Sequence, residues 1–255
     1  MSKITKEKIA ISLDRPLLTL IDALVDGTTL RSRSQAIESL VRKGISQEYV
    51  HDAVILVKKE HQQLLLAKVH GKTLIAAHLS LLERANVKRC YLITPTSALI
   101  EKIQKNIPRN SKVHFTFIEE KEQKGNVHAL QLVKEKLSTN FVVLLGDTYN
   151  DFDLKKMILF HLNKNKIATV GLMSHNQPNL YSSVELEGDR IVAFRNKKKS
   201  QSFVIDAGIY VCKPTLFSSF SKNTSVLERD VLPKLCSGKH AQGYFTYGEY
   251  RHLGG

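Results

Sequence analysis

Two sets of side chains in this sequence have the type and spacing to do chemistry. The first is near the N-terminus, where Lys8-Ile9-Ala10-Ile11-Ser12-Leu13 alternates strictly. Ile9, Ile11 and Leu13 share one face of a predicted strand, while Lys8, Ala10 and Ser12 share the other. A strand showing small and polar side chains can lie in a major groove, where they reach base edges. Arg31, Ser32, Arg33 and Ser34 follow at the start of a predicted helix, where free backbone N–H groups and cations suit phosphate. The second set is spread over the rest of the chain. Asp147 stands just past the apolar run Phe141–Leu145, and Lys197 and Asp206 follow. A carboxylate at the end of a buried strand suits ligand contact in an open α/β sheet. It equally suits a turn carboxylate that caps the next segment, and the residues alone leave both open.

The N-terminal elements have readable ends. Asp14 caps a helix with Pro16 in its first turn, and Leu17, Leu20, Ile21 and Leu24 follow at helical spacing until Gly27. Ser32-Arg33-Ser34-Gln35 forms a capping box, and Ile37, Leu40 and Val41 line one face up to Gly44. A strand and two helices of this size cannot bury a core alone, so a symmetric partner is expected. Residues 8–45 resemble the ribbon-helix-helix repressors of the Arc and MetJ kind. That resemblance implies a homodimer whose paired strands enter double-stranded DNA. Lys8, Ala10 and Ser12 would face bases, and Arg31, Ser32, Arg33 and Ser34 would lie at phosphate. Ala10 can touch a thymine methyl but makes no hydrogen bond, so discrimination would be modest. A unit serving dimerisation only is the other reading.

Composition sets outer bounds. The chain has 255 residues, 42% of them apolar, enough for one large core and a small appended unit. No stretch reaches membrane-span length and no signal-peptide core is present, so a cytoplasmic location without membrane contact is expected. Cys90, Cys212 and Cys236 are far apart and form no metal-ligand spacing. The net charge of +14 favours a polyanion, but residues 1–50 carry eight Lys and Arg against six Asp and Glu. Most of the excess belongs to the larger part, as a basic binding surface or as scattered surface lysine.

From Asp52 onward strands and helices alternate. Strands are predicted at Ala53–Val57, Lys88–Thr94, Val113–Ile118 and Phe141–Leu145, with helices at Leu74–Ala85, Ala98–Lys105 and Val127–Leu137. Ser183–Leu186, Ile191–Phe194 and Ala207–Val211 read as hairpin-like strands. The succession predicts an α/β fold with a doubly wound, mostly parallel sheet over residues 52–255, after an N-terminal unit at 1–46 and a polar joint at Ser46–His51.

The larger part resembles the sugar-phosphate nucleotidyltransferases, which make nucleotide-sugars from a nucleoside triphosphate and a sugar 1-phosphate. AVIL at Ala53–Leu56, HGKTLI at His70–Ile75 and VVLLGDTYNDFDL at Val142–Leu154 carry the resemblance, with His161 following. So do DAGIYV at Asp206–Val211, LERDVLPKL at Leu227–Leu235 and GYFTYGEYRHLGG at Gly243–Gly255. It implies a nucleotide, nucleotide-sugar or sugar phosphate ligand near Asp147, Lys197 and Asp206. The chemical positions depart from the family pattern. Its glycine-rich, arginine-bearing loop corresponds to Val57-Lys58-Lys59-Glu60-His61-Gln62, without glycine. Leu64 and Leu65 stand where a Lys-Pro pair is usual, and Asn196-Lys197-Lys198 where Glu-Lys-Pro is. The paired magnesium aspartates become Asp147 and His252, and magnesium prefers oxygen. The expectation is therefore a dimeric DNA-binding transcription regulator whose nucleotidyltransferase-like domain is inactive, with no catalytic residues, metal or cofactor. The alternative is an active sugar-phosphate nucleotidyltransferase using magnesium and dimerised by its N-terminal unit.

Overall fold

An apolar strand buried on both faces needs one layer above it and another below, and most of the chain is built to that rule. A computed structural model describes residues 7–48, 50–178, 181–195, 202–245 and 247–254. Its internal contacts divide the chain into two units, with the boundary after Glu48.

In the smaller unit α1 (Arg15–Ala23) opens as its sequence demands, with Asp14 Oδ1 accepting the Leu17 N–H at 2.8 Å and Pro16 in the first turn. It ends short of Gly27, which takes φ +72° in the following turn. There Asp26 Oδ1 accepts the N–H groups of Thr28, Thr29 and Leu30. In front of α2 (Arg33–Glu48), Ser32 Oγ accepts the Gln35 N–H at 3.3 Å, while Gln35 Oε1 takes the Arg31 N–H at 2.8 Å. The helix passes through Gly44 and on to Glu48, which corrects its expected end. One glycine weakens a helix by only about 1 kcal/mol and does not stop it. A second correction concerns Lys8–Leu13. Residues 7–14 hold no regular secondary structure, because no described strand lies beside them to complete a ladder.

The larger unit runs β1 (Asp52–Leu56), a 3-10 segment (Lys59–Leu66), the hairpin β2 (Lys68–Val69) and β3 (Lys72–Thr73), then α3 (Leu74–Arg84). Next come β4 (Arg89–Thr94), α4 (Leu99–Lys105), β5 (His114–Glu119), α5 (Asn126–Gln131) and β6 (Phe141–Leu145). They are followed by β7 (Thr148–Asn150), α6 (Leu154–Lys164), β8 (Ala168–Ser174), β9 (Ser183–Glu187), β10 (Arg190–Arg195) and β11 (Val204–Cys212). The last elements are α7 (Leu232–Ser237), β12 (Ala241–Phe245) and β13 (Tyr250–His252).

The central strands β5, β4, β1 and β6 are mutually parallel, and β11 then runs antiparallel to β6. Beyond it the sheet forks, with β9 and β10 on one branch and β8 and β12 on the other. Alternate residues of the central strands feed opposite layers. Ala53, Ile55, Leu92 and Leu144 join the cluster containing Leu79 of α3 and Met157 of α6. Val54, Leu56, Ile93 and Val143 join that containing Leu130 of α5 and Leu235 of α7. The helix expected over Val127–Leu137 stops at Gln131, with a short 3-10 turn at Lys134–Lys136. Among the described residues no helix is long and apolar enough to cross a membrane.

Candidate functional site

The carboxyl ends of the parallel strands finish level. Leu56 of β1 is in register with Ile93 of β4 and Leu145 of β6, and Thr94 of β4 with Glu119 of β5. Where strands end together the helices diverge and leave a crevice. Here it is a cleft of about 820 Å³, lined among others by Lys58, His61, Glu120, Asp147, Asp206, Glu228 and His252.

Asp147 follows β6 after Gly146, and the glycine is required by packing. A Cβ there would lie 2.2 Å from Val57 Cγ2. Two imidazoles from distant parts of the chain meet the Asp147 carboxylate: His61 Nδ1 at 2.8 Å and His252 Nε2 at 3.6 Å, both to Oδ2. The first is a hydrogen bond and the second an electrostatic contact. Burial opposes the charge on Asp147, but His252 and then His61 outweigh it and hold the carboxyl below its ordinary range.

Each imidazole has its own support. His61 lies in the 3-10 segment that directly follows β1. The neighbouring Gln62, buried, fixes that segment by donating to Thr94 Oγ1 at 2.8 Å and accepting from Ser97 Oγ at 2.5 Å. His252 lies on β13, which pairs antiparallel with β7, and the next N–H, of Leu253, donates to the Asp147 carbonyl at 2.8 Å. Gly254 then passes so close that a Cβ would stand 3.1 Å from Asp147 Oδ2 and 2.9 Å from His61 Cε1.

A second polar group lies in the same cleft. Asp206 on β11 is buried and accepts the Gly208 N–H at 2.9 Å. The Tyr210 hydroxyl stands 2.8 Å from Asp206 Oδ2 and 2.9 Å from Glu228 Oε1. Glu228 also accepts from Asn126 Nδ2 at 3.0 Å. One hydroxyl carries one proton, so both contacts are satisfied when one carboxyl is protonated. Burial and then the charge of Glu228 push Asp206 up to about 7, which marks it as the proton holder.

Of the expected ligand residues, Asp147 and Asp206 thus line one cleft, and Lys197 lies outside the described residues. Glu120, Tyr210 and Glu228 do not stand out in the sequence, because carboxylates and phenols after strands are common. His61 and His252 stand out there only as departures from a pattern. His161, part of that pattern, is a core residue, buried with Nδ1 2.8 Å from Thr169 Oγ1.

The expected DNA contacts fare differently. Lys8, Ala10 and Ser12 are exposed, on a segment that forms no strand. Arg33 is spent inside its own unit, gripping Asp22 through two 2.7 Å hydrogen bonds that tie α2 to α1. Arg31 Nε donates to the Thr28 carbonyl at 3.2 Å, and Ser32 caps α2. Ser34 is exposed.

Residues 56–250 match the family model described as nucleotidyl transferase. The mannose-1-phosphate guanylyltransferase catalytic subunit beta of Xenopus tropicalis is 26% identical over 172 residues, 65% of this chain and 48% of that protein. The chain spans about half the length of the curated relatives it matches. Among solved structures, HddC from Yersinia pseudotuberculosis complexed with GMP-PN superposes with TM-score 0.65 at 22% identity, covering 80% of this chain and 94% of that one. UDP-glucose pyrophosphorylase from Acinetobacter baumannii gives TM-score 0.67 at 16% identity, covering 81% and 89%. These matches overturn the expectation of a DNA-binding transcription regulator with an inactive effector domain, since the relatives are sugar nucleotidyltransferases. The substituted positions at 57–62, 64–65, 196–198 and 252 leave the family match in place. With residues 56–250 matched, the chain belongs to the nucleotidyl transferase family.

Proposed function

We propose that the larger unit transfers a nucleotidyl group from a nucleoside triphosphate to a sugar 1-phosphate. The observation that carries this reading is the ionised Asp147, held by two imidazoles in a cleft over the parallel strand ends. In the reaction an oxygen of the sugar phosphate bonds to the α-phosphorus as the bond to the β-phosphate oxygen breaks, and pyrophosphate leaves. The protein's task is to position the two anions and offset their charge. Lys58 lines the cleft and supplies positive charge, while Lys124 and Arg229, which also line it, are paired with Glu122 and Asp230. The Asp206, Tyr210 and Glu228 group offers donors and acceptors of the kind sugar hydroxyls need.

The family resemblance implies magnesium held by paired aspartates, and this donor set does not fit it. Asp147 offers one carboxylate whose Oδ2 already accepts from His61, and His252 offers nitrogen where magnesium takes oxygen. Among the described residues no three His, Cys, Asp or Glu side chains are grouped to hold a metal ion.

The smaller unit is proposed to join two copies of the chain, in the manner of a ribbon-helix-helix pair. Its described apolar core is only Ile21 and Ala36, while Ile9, Ile11, Leu20 and Val41 are exposed. The alternating segment Lys8–Leu13 would gain its missing ladder from its own copy.

Pyrophosphate release measured with the four common nucleoside triphosphates and hexose 1-phosphates tests the activity. Wild-type protein should turn over, and Asp147→Asn should lower turnover on the order of 10²-fold or more, as losing a charged group at a transferring centre does. No release by wild type with any pair, or equal release by the variant, overturns the reading.

A further inference from the structure

The two imidazoles at Asp147 each have a ring nitrogen left over. His61 spends Nδ1 on Asp147 Oδ2, and among the described residues nothing bonds its Nε2. His252 turns Nε2 to the same oxygen, and its Nδ1 likewise has no hydrogen bond among them. Both side chains line the cleft and keep about a fifth of their surface exposed, 20% for His61 and 21% for His252. Both are also held in place. The His61 N–H donates to the Lys58 carbonyl at 3.0 Å, and the Tyr181 ring meets His252 edge-on with centroids 5.8 Å apart. Lys58 lines the same cleft with no ion pair among the described residues.

Asp147 stays ionised, so a polyphosphate entering the cleft meets a negative charge that must be offset. Magnesium does this elsewhere by bridging carboxylate and phosphate oxygens. Here Oδ2 already accepts from His61, and nitrogen stands where a second oxygen ligand would be needed. An imidazole carrying both protons donates at each nitrogen and bears one positive charge. It can hold Asp147 with one nitrogen and a phosphate oxygen with the other, so a side chain performs the bridging that an ion otherwise would. Resting on the nucleotidyl transfer proposed above, we infer that His61 and His252 replace the divalent cation at Asp147, and that this centre grips polyphosphate without protein-bound magnesium. With Lys58 they form a preset group of cations that does not rearrange when the anion arrives.

Calorimetry on the full chain tests this, with inorganic pyrophosphate as the probe because it carries neither base nor sugar. Wild type should bind pyrophosphate in EDTA within about threefold of its affinity in magnesium, less than half the free energy of a tenfold change. Manganese, an oxygen-seeking stand-in for magnesium, should stay free in its electron spin resonance spectrum when mixed with wild type alone. His61→Gln and His252→Gln should each weaken metal-free pyrophosphate binding about tenfold or more, as loss of a charged hydrogen bond implies. His252→Asp should reverse the preference, binding manganese and requiring it for pyrophosphate. The two wild-type measurements hold if a variant fails to fold. Manganese bound by wild type, pyrophosphate binding lost in EDTA, or glutamine variants that bind as tightly as wild type overturn the inference. If pyrophosphate release from triphosphates persists in that case, nucleotidyl transfer still stands. Metal-free pyrophosphate binding without release from any triphosphate overturns the transfer and leaves the polyphosphate site.

Discussion

Asp147 and Asp206 show how one residue type acquires two states in one cleft. Asp147 has imidazoles beside it and stays charged; Asp206 is buried, with Glu228 nearby, and keeps its proton up to about 7. The second has a consequence for stability. An unfolded aspartate ionises near 3.8, so between there and about 7 the folded chain binds the additional proton, and stability falls as pH rises. Above that window both states are ionised and the slope ends. Asp206→Asn removes this slope, so relative to wild type it should gain a few kcal/mol on going from pH 4 to pH 8, on the order of 1.4 kcal/mol for each pH unit that separates folded from unfolded ionisation. Urea unfolding of both proteins across that range checks it, and parallel profiles would count against the protonated carboxyl. His78 and His161 act with the opposite sign. Burial lowers each to about 4, so only the unfolded chain takes their protons between about 4 and 6.5, and acidification there destabilises the fold. Asp147 and Asp206 are legible in the sequence through their neighbours, but Tyr210 and Glu228 are not. Those two matter through the partners they meet, which are properties of the folded chain.

At the scale of elements, the strand ends hold the site and tolerate little change. Gly146 joins β6 to Asp147 with Val57 Cγ2 only 2.2 Å from where a Cβ would stand. Gly146→Ala must therefore displace Val57 or the strand end. It should cost about 1–3 kcal/mol, the usual range for overpacking, and lower the melting temperature. A calorimetric melt within error of wild type would show that the strand end yields freely. The runs that form β1, β4 and β6 are legible because continuous apolar residues between polar turns have few other uses. β8 and β12 are not, since the glycine in AQGYF and the mixed ATVGLMS run show neither alternation nor a clean apolar block. Lys8–Leu13 errs the other way: its alternation is real, but a strand needs a neighbour, and none of the described residues supplies one.

For the whole molecule, stoichiometry is set by the smaller unit's apolar surface. A chain whose smaller unit leaves Ile9, Leu20 and Val41 exposed should associate through that unit. Sedimentation should find a dimer for the full chain. Deletion of residues 1–48 should give a monomer that keeps a cooperative melt, because the two main clusters lie wholly beyond that boundary. A dimer after deletion would move the contact to the larger unit, and a monomer before it would remove the role proposed for residues 7–48.

The site's imidazoles also bear on how the chain comes into being. His61 and Asp147 are 86 positions apart, and His252 joins them only when the three residues of β13 settle beside β7. A separate two-stranded ladder of three residues a side gains little until the main sheet beneath it has formed. A ribosome will have released almost all of the sheet before the second imidazole exists to meet Asp147. Chains stalled or truncated before Tyr250 should therefore contain most of a folded domain without a finished active centre, and pulse-labelled exchange during refolding should show β1, β4 and β6 protected well ahead of Leu253.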